Sequence, residues 1–324
     1  MRAPGFWWQR PPSAAARMLK PFGALYARVA AARLKAEGVH VPVPVMCVGN
    51  PIAGGAGKTP TALALAGLLR RAGRQPVFLT RGYGGTLEGP VRVDRDVHTP
   101  AETGDEARLL AAVWPCIVAK DRVAGARLAA TTGDVVVMDD GFQNPSLAKD
   151  FSLLVIDAVD GVGNGLCIPA GPLRAPLAAQ FARADAVVVI GDGEEGMRVA
   201  QGSARPVLRA RLVAEPGAAA RVTGRKVLAF AGIGRPQKFA RTLRDIGADI
   251  VRMVEFPDHH VLTESEMDDL IADAARRDLL LVTTEKDIAR LGGTRLGMVA
   301  QTLPVRLVFE EETALAALVS PILR

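Results

Sequence analysis

The stretch VPVMCVGNPIAGGAGKT, residues 43–59, decides the fold of this chain. Its apolar start predicts a strand that ends near Val48, the glycine-rich segment predicts a tight loop, and the alanine- and leucine-rich continuation predicts a helix. A strand, a glycine-rich loop and a helix in this order are the context that a phosphate-binding loop requires. The usual pattern would place a glycine where this chain has Ile52, so the loop is a longer GGxGKT form that begins at Gly49.

Each residue type in this loop has a chemical reason to bind a nucleoside triphosphate. Glycines let backbone N–H groups turn inward around phosphate oxygens, and the start of the helix adds its partial positive charge. The lysine can reach the β- and γ-phosphates, and the threonine hydroxyl can ligate Mg²⁺. The predicted cofactor-binding residues are Gly54, Gly55, Ala56, Gly57, Lys58 and Thr59.

The rest of the chain alternates short β-branched runs with helical patterns, which predicts an α/β fold of two P-loop or Rossmann-like lobes with mainly parallel sheets. Predicted strands are 43–48, 76–80, 116–119, 135–138, 153–156 and 186–190, then a second series at 226–231, 250–255, 279–283 and 305–309. Predicted helices are 59–71, 105–113, 122–131, 236–245, 264–276 and 286–291. The interval 205–224 separates the first series of predicted strands from the second. We therefore predict a nucleotide-binding and catalytic domain at 39–214 and a smaller α/β domain at 215–324 that closes a cleft for two substrates.

The net charge of +6 lies entirely at the N-terminus, where residues 1–38 carry seven basic side chains and one acidic side chain. The remainder is neutral, which argues against a body that binds nucleic acid. Apolar side chains in the basic segment fall on one helical stripe: Met18, Phe22, Leu25, Tyr26 and Val29. Residues 1–38 are thus predicted to form an amphipathic helix that lies on an anionic membrane surface. A helix docked on its own domain is the alternative, and one helix can do both.

No run in this segment reaches the length of about 20 apolar residues that a spanning helix needs, so we expect peripheral attachment. The cysteines Cys47, Cys116 and Cys167 lie far apart in apolar stretches. This pattern is typical of reduced core thiols in a cytosolic protein.

Two adjacent carboxylates, Asp139 and Asp140, end the apolar run that begins at Val135. An aspartate at such a strand end holds Mg²⁺, directly or through water, in nucleotide enzymes of this architecture. Adjacent side chains point to opposite sides of a strand. One can therefore serve the metal and the other the loop or the acceptor, and the sequence leaves open which does which.

Asp105 opens a predicted helix after Gly104, where capping alone would explain an aspartate. His259 and His260 are adjacent in a predicted loop, in a chain with only four histidines. An acceptor hydroxyl would need a general base, and a histidine could supply it.

Eight motifs follow one another in a fixed order behind the basic N-terminus: VGN (48–50), GGAGKTP (54–60), RGYGG (81–85), GDE (104–106), DDGFQ (139–143), PAGPLR (169–174), FPDH (256–259) and TEKD (284–287). Over nearly the whole chain, this series resembles the tetraacyldisaccharide 4′-kinases of lipid A biosynthesis. The resemblance implies transfer of the ATP γ-phosphoryl group to the 4′-hydroxyl of a tetraacylated glucosamine disaccharide 1-phosphate, giving lipid IVA.

The resemblance also implies Mg²⁺ and peripheral attachment to the cytoplasmic face of a bacterial inner membrane. The implied partners are the lipid disaccharide acceptor and the anionic membrane surface, with neither nucleic acid nor an obligate protein partner.

Residue roles carry over from the family to matching positions. Asp105 and His259 would act together on the acceptor hydroxyl, because an imidazole that donates to a carboxylate keeps its other nitrogen basic. Lys58 would be the third catalytic residue. The basic residues near substrate phosphates would be Arg81, Arg122 and Arg174. Two positions depart from the family pattern, Asn144 in place of a histidine and Ala175 in place of an acidic residue, so the resemblance assigns no secondary metal or substrate contact to them.

A membrane-anchored P-loop NTPase switch is the alternative function, because a GGxGKT loop and a Mg²⁺ aspartate suit it equally. The chain has no Asn-Lys-x-Asp motif for reading guanine, although Thr284 to Asp287 comes near to one. Nucleotide turnover with and without the lipid acceptor discriminates between the two functions.

Overall fold

The computed structural model describes residues 3–258 and 260–323. Its strands are β1 (Val45–Gly49), β2 (Pro76–Thr80), β3 (Val91–Arg92), β4 (Cys116–Val118), β5 (Val135–Asp139), β6 (Phe151–Asp157), β7 (Ala186–Ile190), β8 (Val207–Ala214), β9 (Lys226–Ala231), β10 (Asp249–Glu255), β11 (Leu280–Thr283), β12 (Gln301–Thr302) and β13 (Val305–Phe309).

Its helices are α1 (Ala14–Lys35), α2 (Lys58–Arg71), α3 (Pro100–Thr103), α4 (Asp105–Ala111), α5 (Arg122–Ala130), α6 (Leu177–Arg183), α7 (Glu194–Gln201), α8 (Pro216–Val222), α9 (Pro236–Asp245), α10 (Glu264–Arg277), α11 (Glu285–Leu291), α12 (Arg295–Val299) and α13 (Glu312–Val319). Short 3-10 helices lie at Gly5–Trp8 and Ser320–Leu323.

The described strands form two sheets. The larger has the order β13-β8-β7-β6-β1-β5-β2-β4-β3, and the smaller has the order β10-β9-β11-β12. Every pairing is parallel except those of β3 with β4 and β13 with β8. We call the larger sheet with its helices the large lobe, and the smaller sheet with its helices the small lobe. The predicted α/β class with mainly parallel sheets is confirmed.

The strand before the phosphate loop, β1, lies in the middle of the large sheet between β5 and β6. All five of its residues are buried, as expected for a parallel strand covered by helices on both faces. Met46 packs in the core on one face of the sheet, and its neighbour Cys47 packs in the core on the other. Cys47, Cys116 and Cys167 are all buried free thiols, as predicted.

The predicted boundary and last strand differ from the structure. The strand at Val305–Phe309 is predicted in the smaller domain, but it pairs antiparallel with β8 in the large sheet, where Leu307 and Phe309 join the core. The interval 205–224 also holds regular structure, namely β8 and α8. Glu215 caps α8 by accepting from the N–H groups of Gly217 and Ala218, and Pro216 occupies the first helical turn, where its missing N–H costs nothing.

Helix α1 has two different faces. Ala16, Gly23 and Leu34 are buried against the large lobe, at helical spacing. The predicted stripe lies opposite and is exposed: Met18, Phe22, Leu25, Tyr26 and Val29. In the described part of the chain, no helix has both the length and the hydropathy needed to cross a bilayer.

Candidate active site

The phosphate loop connects β1 to α2, as the sequence predicts. Gly54 and Gly57 have φ angles of 123° and 90°, in the left-handed region that favours glycine. A Cβ on Gly57 would also lie 2.6 Å from Cδ1 of Ile190. Ile52, at the position where the usual pattern has glycine, is buried in the large-lobe core. The turn therefore falls later, and the side-chain amide of Asn50 donates to the Gly54 carbonyl at 2.9 Å.

Asp139 is the last residue of β5 and faces the start of α2. Its Oδ2 accepts from the Thr59 hydroxyl at 2.8 Å. Its Oδ1 is buried and has no hydrogen-bond partner within residues 3–258 and 260–323. Burial, and then the charge of Glu106, raise the pKa of Asp139 to about 7. A buried carboxylate with one oxygen that no described residue hydrogen-bonds, beside a threonine hydroxyl, has the donor chemistry of a magnesium site.

Asp140 has the opposite environment, although it is the next residue. Its backbone takes a φ of 57°, and its carboxylate lies 3.5 Å from Nζ of Lys58 and 2.9 Å from Nη1 of Arg174. Burial acts to raise the pKa of Asp140, but Lys58 and Arg174 outweigh it, so the pKa falls below its usual value. Asp140 is thus held by two protein cations.

The three predicted phosphate-binding arginines lie in different surroundings. Arg174 donates from Nε to the Ile52 carbonyl at 3.0 Å, which fixes it beside the loop. Arg122 is buried at the start of α5, its Nε has no hydrogen-bond partner among the described residues, and burial with the nearby charge of Arg81 lowers its pKa. Arg81 is exposed. The three arginines therefore differ in burial: Arg122 is buried, Arg174 is half-buried and Arg81 is exposed.

Asp105 begins α4 and is 4% exposed. Its Oδ2 lies 2.9 Å from both Nε and Nη2 of Arg290, which belongs to α11 of the small lobe. Glu106, the next residue of α4, forms an ion pair with Lys286, which belongs to α11 like Arg290. Burial opposes the charge on Lys286, but Glu106, Asp105 and Asp139 together raise its pKa. The two lobes therefore meet through charged side chains at the candidate catalytic aspartate.

His259 lies outside the described residues, so its predicted role stays a prediction. Its neighbour Asp258 is close to the phosphate loop. A Cβ on Gly234 would lie 3.1 Å from an Asp258 carboxylate oxygen and 3.9 Å from the Gly55 nitrogen. His260 is already engaged, because its ring stacks on Phe256 with centroids 5.3 Å apart and its Nε2 lies 3.0 Å from Glu266.

The sequence reasoning missed Lys286, Arg290 and Glu106 as site residues. A usable pattern was present: Lys286 and Arg290 are four residues apart in one predicted helix, which puts both on one face. The two departures from the family pattern have local structural roles here. Asn144 accepts from the Ser146 N–H in a turn, and the carbonyl of the buried Ala175 accepts from Gln180.

The fold and the site define a P-loop nucleotide-binding enzyme of the α/β class. The family model for tetraacyldisaccharide-1-P 4′-kinase matches residues 15–324. A tetraacyldisaccharide 4′-kinase from Methylobacterium sp. (strain 4-46) is 55% identical over 318 residues, covering 97% of this chain and 95% of that protein. One from Rhodopseudomonas palustris (strain ATCC BAA-98 / CGA009) is 52% identical over 321 residues, covering 97% and 94%.

A crystal structure described as the "apo" form of LpxK from Aquifex aeolicus in complex with ATP has a TM-score of 0.74 and 26% sequence identity to this chain. It covers 95% of this chain and 99% of that one. The chain belongs to the tetraacyldisaccharide-1-P 4′-kinase family. It is an ATP-dependent phosphotransferase that acts on a hydroxyl group of a lipid disaccharide, in lipid A biosynthesis.

Proposed function

We propose that the large lobe holds Mg²⁺-ATP and that the small lobe supplies the base that activates the acceptor 4′-hydroxyl, at the surface of an anionic membrane. One observation carries this proposal: charged contacts from the small lobe end on Asp105 and Glu106, and Glu106 is close enough to Asp139 to raise its pKa. The catalytic aspartate and the triphosphate site therefore belong to one continuous set of charges.

In the large lobe, the backbone of Gly54 to Gly57 cradles the phosphates and Lys58 stabilises the transferring phosphoryl group. Lys58 begins α2, so the partial positive charge of the helix N-terminus points at the same place. Phosphoryl transfer depends mainly on positioning and charge stabilisation, so a loop, a lysine and a metal suffice on this side of the reaction.

The residues present fit a magnesium ion. Thr59 and Asp139 would hold it, because Asp139 has a buried oxygen that no described residue hydrogen-bonds, whereas the carboxylate of Asp140 is already paired with two cations. When bound, Mg²⁺ would neutralise charge on the β- and γ-phosphates. Asp140 is assigned a different role, since together with Arg174 it fixes the position of Lys58 beside the loop.

On the acceptor side, Asp105 and His259 are proposed to remove the proton of the 4′-hydroxyl. Asp105 is buried at a helix start, and the segment before His259 approaches the phosphate loop at Gly55. When a carboxylate accepts a hydrogen bond from one nitrogen of an imidazole, the other ring nitrogen stays available as a base. Arg81 and Arg122 are proposed to bind the acceptor phosphate. Nε of Arg122 donates to no described residue, so its N–H is available for that phosphate.

Attachment to the membrane is proposed to occur through α1 on the cytoplasmic face of the inner membrane. The exposed stripe on α1 supplies apolar surface, and the basic side chains of residues 1–38 supply attraction to anionic headgroups. Because the acceptor carries acyl chains, an enzyme bound to the membrane surface lies in the plane in which its substrate diffuses.

The TEKD segment does not favour the competing switch function. In TEKD, Lys286 pairs with Glu106, and Asp287 accepts from the Gly232 N–H at 3.0 Å, so both side chains serve contacts within the protein. The test is nucleotide turnover with and without lipid disaccharide. A kinase yields phosphorylated lipid in proportion to the ATP consumed, whereas release of free phosphate alone would contradict the proposal.

A further inference from the structure

We infer that Arg290 is a positioning residue for phosphoryl transfer, which holds Asp105 of the large lobe in register with the small-lobe loop that carries His259. This inference rests on the proposed role of Asp105 and His259. The family motifs end at Asp287, three residues before Arg290.

The guanidinium of Arg290 makes contacts on two sides. Toward the large lobe, Nε donates to Oδ2 of Asp105 at 2.9 Å, and Nη2 lies at the same distance from that oxygen without a hydrogen bond to any described residue. Toward the small lobe, Nη1 donates to the Gly232 carbonyl at 2.9 Å and to Oδ1 of Asp287 at 3.0 Å. A planar guanidinium with several donors can hold such partners at once, which a single lysine ammonium cannot do with the same geometry.

The partners of Arg290 are themselves fixed. Asp287 is buried, and it accepts from the Gly232 N–H at 3.0 Å and from the Thr284 hydroxyl at 2.6 Å. Arg290 is therefore tied at its small-lobe end to the start of α11 and to the loop after β9. Its other end can impose that position on Asp105.

The loop that carries His259 meets the same point. A Cβ on Gly232 would lie 3.2 Å from Nη1 of Arg290 and 3.3 Å from the Pro257 carbonyl. Nη1 of Arg290 and the Pro257 carbonyl thus both lie where a side chain on Gly232 would stand. Because Gly232 has no side chain, the loop and the guanidinium can both approach its backbone, and Arg290 becomes the link between Asp105 and the segment at Pro257.

The side-chain accessibilities agree with a positioning role and not with a surface ion pair. The side chain of Arg290 is 10% exposed and that of Asp105 is 4% exposed. Exposed ion pairs contribute little to the free energy of folding, whereas a buried pair with further hydrogen bonds fixes the relative position of its two side chains. An error of about 1 Å in the position of a catalytic group can cost roughly 100-fold in rate.

The experiment compares Arg290→Ala with the parent enzyme in a steady-state assay of ATP-dependent phosphorylation of the lipid disaccharide. We expect kcat to fall by about 100-fold, with the KM for ATP changed by less than about two-fold, because the hydrogen bonds of Arg290 described above end outside the phosphate loop. Arg252→Ala is the matched control, since Arg252 lies in the same lobe and pairs with the buried carboxylate of Asp273 at 2.5 Å. The control should keep the parent kcat.

A double variant separates this inference from the proposed function. If Arg290 acts through Asp105, the Asp105→Asn/Arg290→Ala enzyme should be no slower than Asp105→Asn alone. Losses that multiply, or an Arg290→Ala enzyme with the parent kcat, would overturn the inference. An active Asp105→Asn enzyme would instead contradict the proposed role of Asp105.

Thermal denaturation shows whether each variant is folded. If Arg290→Ala unfolds early, Arg290→Lys carries the test, because it keeps the charge and loses the multiple contacts. We expect a folded Arg290→Lys enzyme with kcat lowered by at least about 10-fold. The parent kcat in that variant would overturn the assignment.

Discussion

Replacing Phe22 and Leu25 with serine tests whether α1 binds membranes through its exposed stripe. Each of these side chains is 64% exposed, so most of its apolar surface is available to lipid. Full burial of such a side chain stabilises by about 1.5–3 kcal/mol, and two side chains at this exposure give about 2–4 kcal/mol. The double variant should therefore bind vesicles roughly 30- to 700-fold more weakly.

The assay is co-sedimentation with vesicles of phosphatidylglycerol and phosphatidylethanolamine, at low and high salt. The matched control is Met298→Ser/Val299→Ser, which removes apolar side chains that are 75% and 47% exposed on the small lobe. The control should bind like the parent enzyme. Parent-like binding by a folded Phe22→Ser/Leu25→Ser protein would refute the assignment of this stripe as the membrane contact.

Point substitution is a sharper test than deletion of residues 1–38. The opposite face of α1 is part of the fold, because Ala16 and Leu34 are buried and a Cβ on Gly23 would lie 2.9 Å from the Cys167 carbonyl oxygen. Trp7 is also buried and donates to the Pro169 carbonyl at 3.0 Å. A deletion would expose this core, and lost binding could then reflect unfolding.

Three further predictions concern the active site. Lys58→Ala should stay folded and lower kcat/KM by about 100-fold or more in steady-state kinetics, because the cation that stabilises the transferring phosphoryl group is lost; near-parent activity would remove Lys58 from the mechanism. Asp139→Asn should lose activity yet raise the thermal midpoint of the metal-free protein at pH 8. The pKa of Asp139 is raised to about 7, above its unfolded value, so its ionisation costs stability as pH rises from about 4 to about 7; an unchanged midpoint at pH 8 would contradict this. His259→Ala should lower kcat strongly and remove the acidic limb of the pH–rate profile, because the base must be neutral, while His260→Ala should be mild; the reverse result would move the base to His260.

Local signals in the sequence were enough to predict the phosphate loop and most elements of the sheets. The strand before the loop, the glycines and the helix after it lie within one short segment, so no distant contact is needed to define them. Strand β13 could not be assigned in this way. Its place in the large sheet depends on pairing with β8, far away in sequence, and on burial of Leu307 and Phe309 in that core.

The different roles of the two aspartates depend even more on contacts between residues that are far apart in sequence. Asp139 and Asp140 are the same residue type in adjacent positions, and the sequence left open which would bind metal. The structure separates them because the chain turns at Asp140 with a φ of 57°, which sends its carboxylate toward Lys58 and Arg174. Asp139 stays buried, with one oxygen that no described residue hydrogen-bonds. Two carboxylates whose surroundings shift their pKa values in opposite directions can take different roles. We therefore propose that Asp139 and not Asp140 binds the metal, and a Mg²⁺ titration in which Asp140→Asn binds like the parent while Asp139→Asn does not is the expected result.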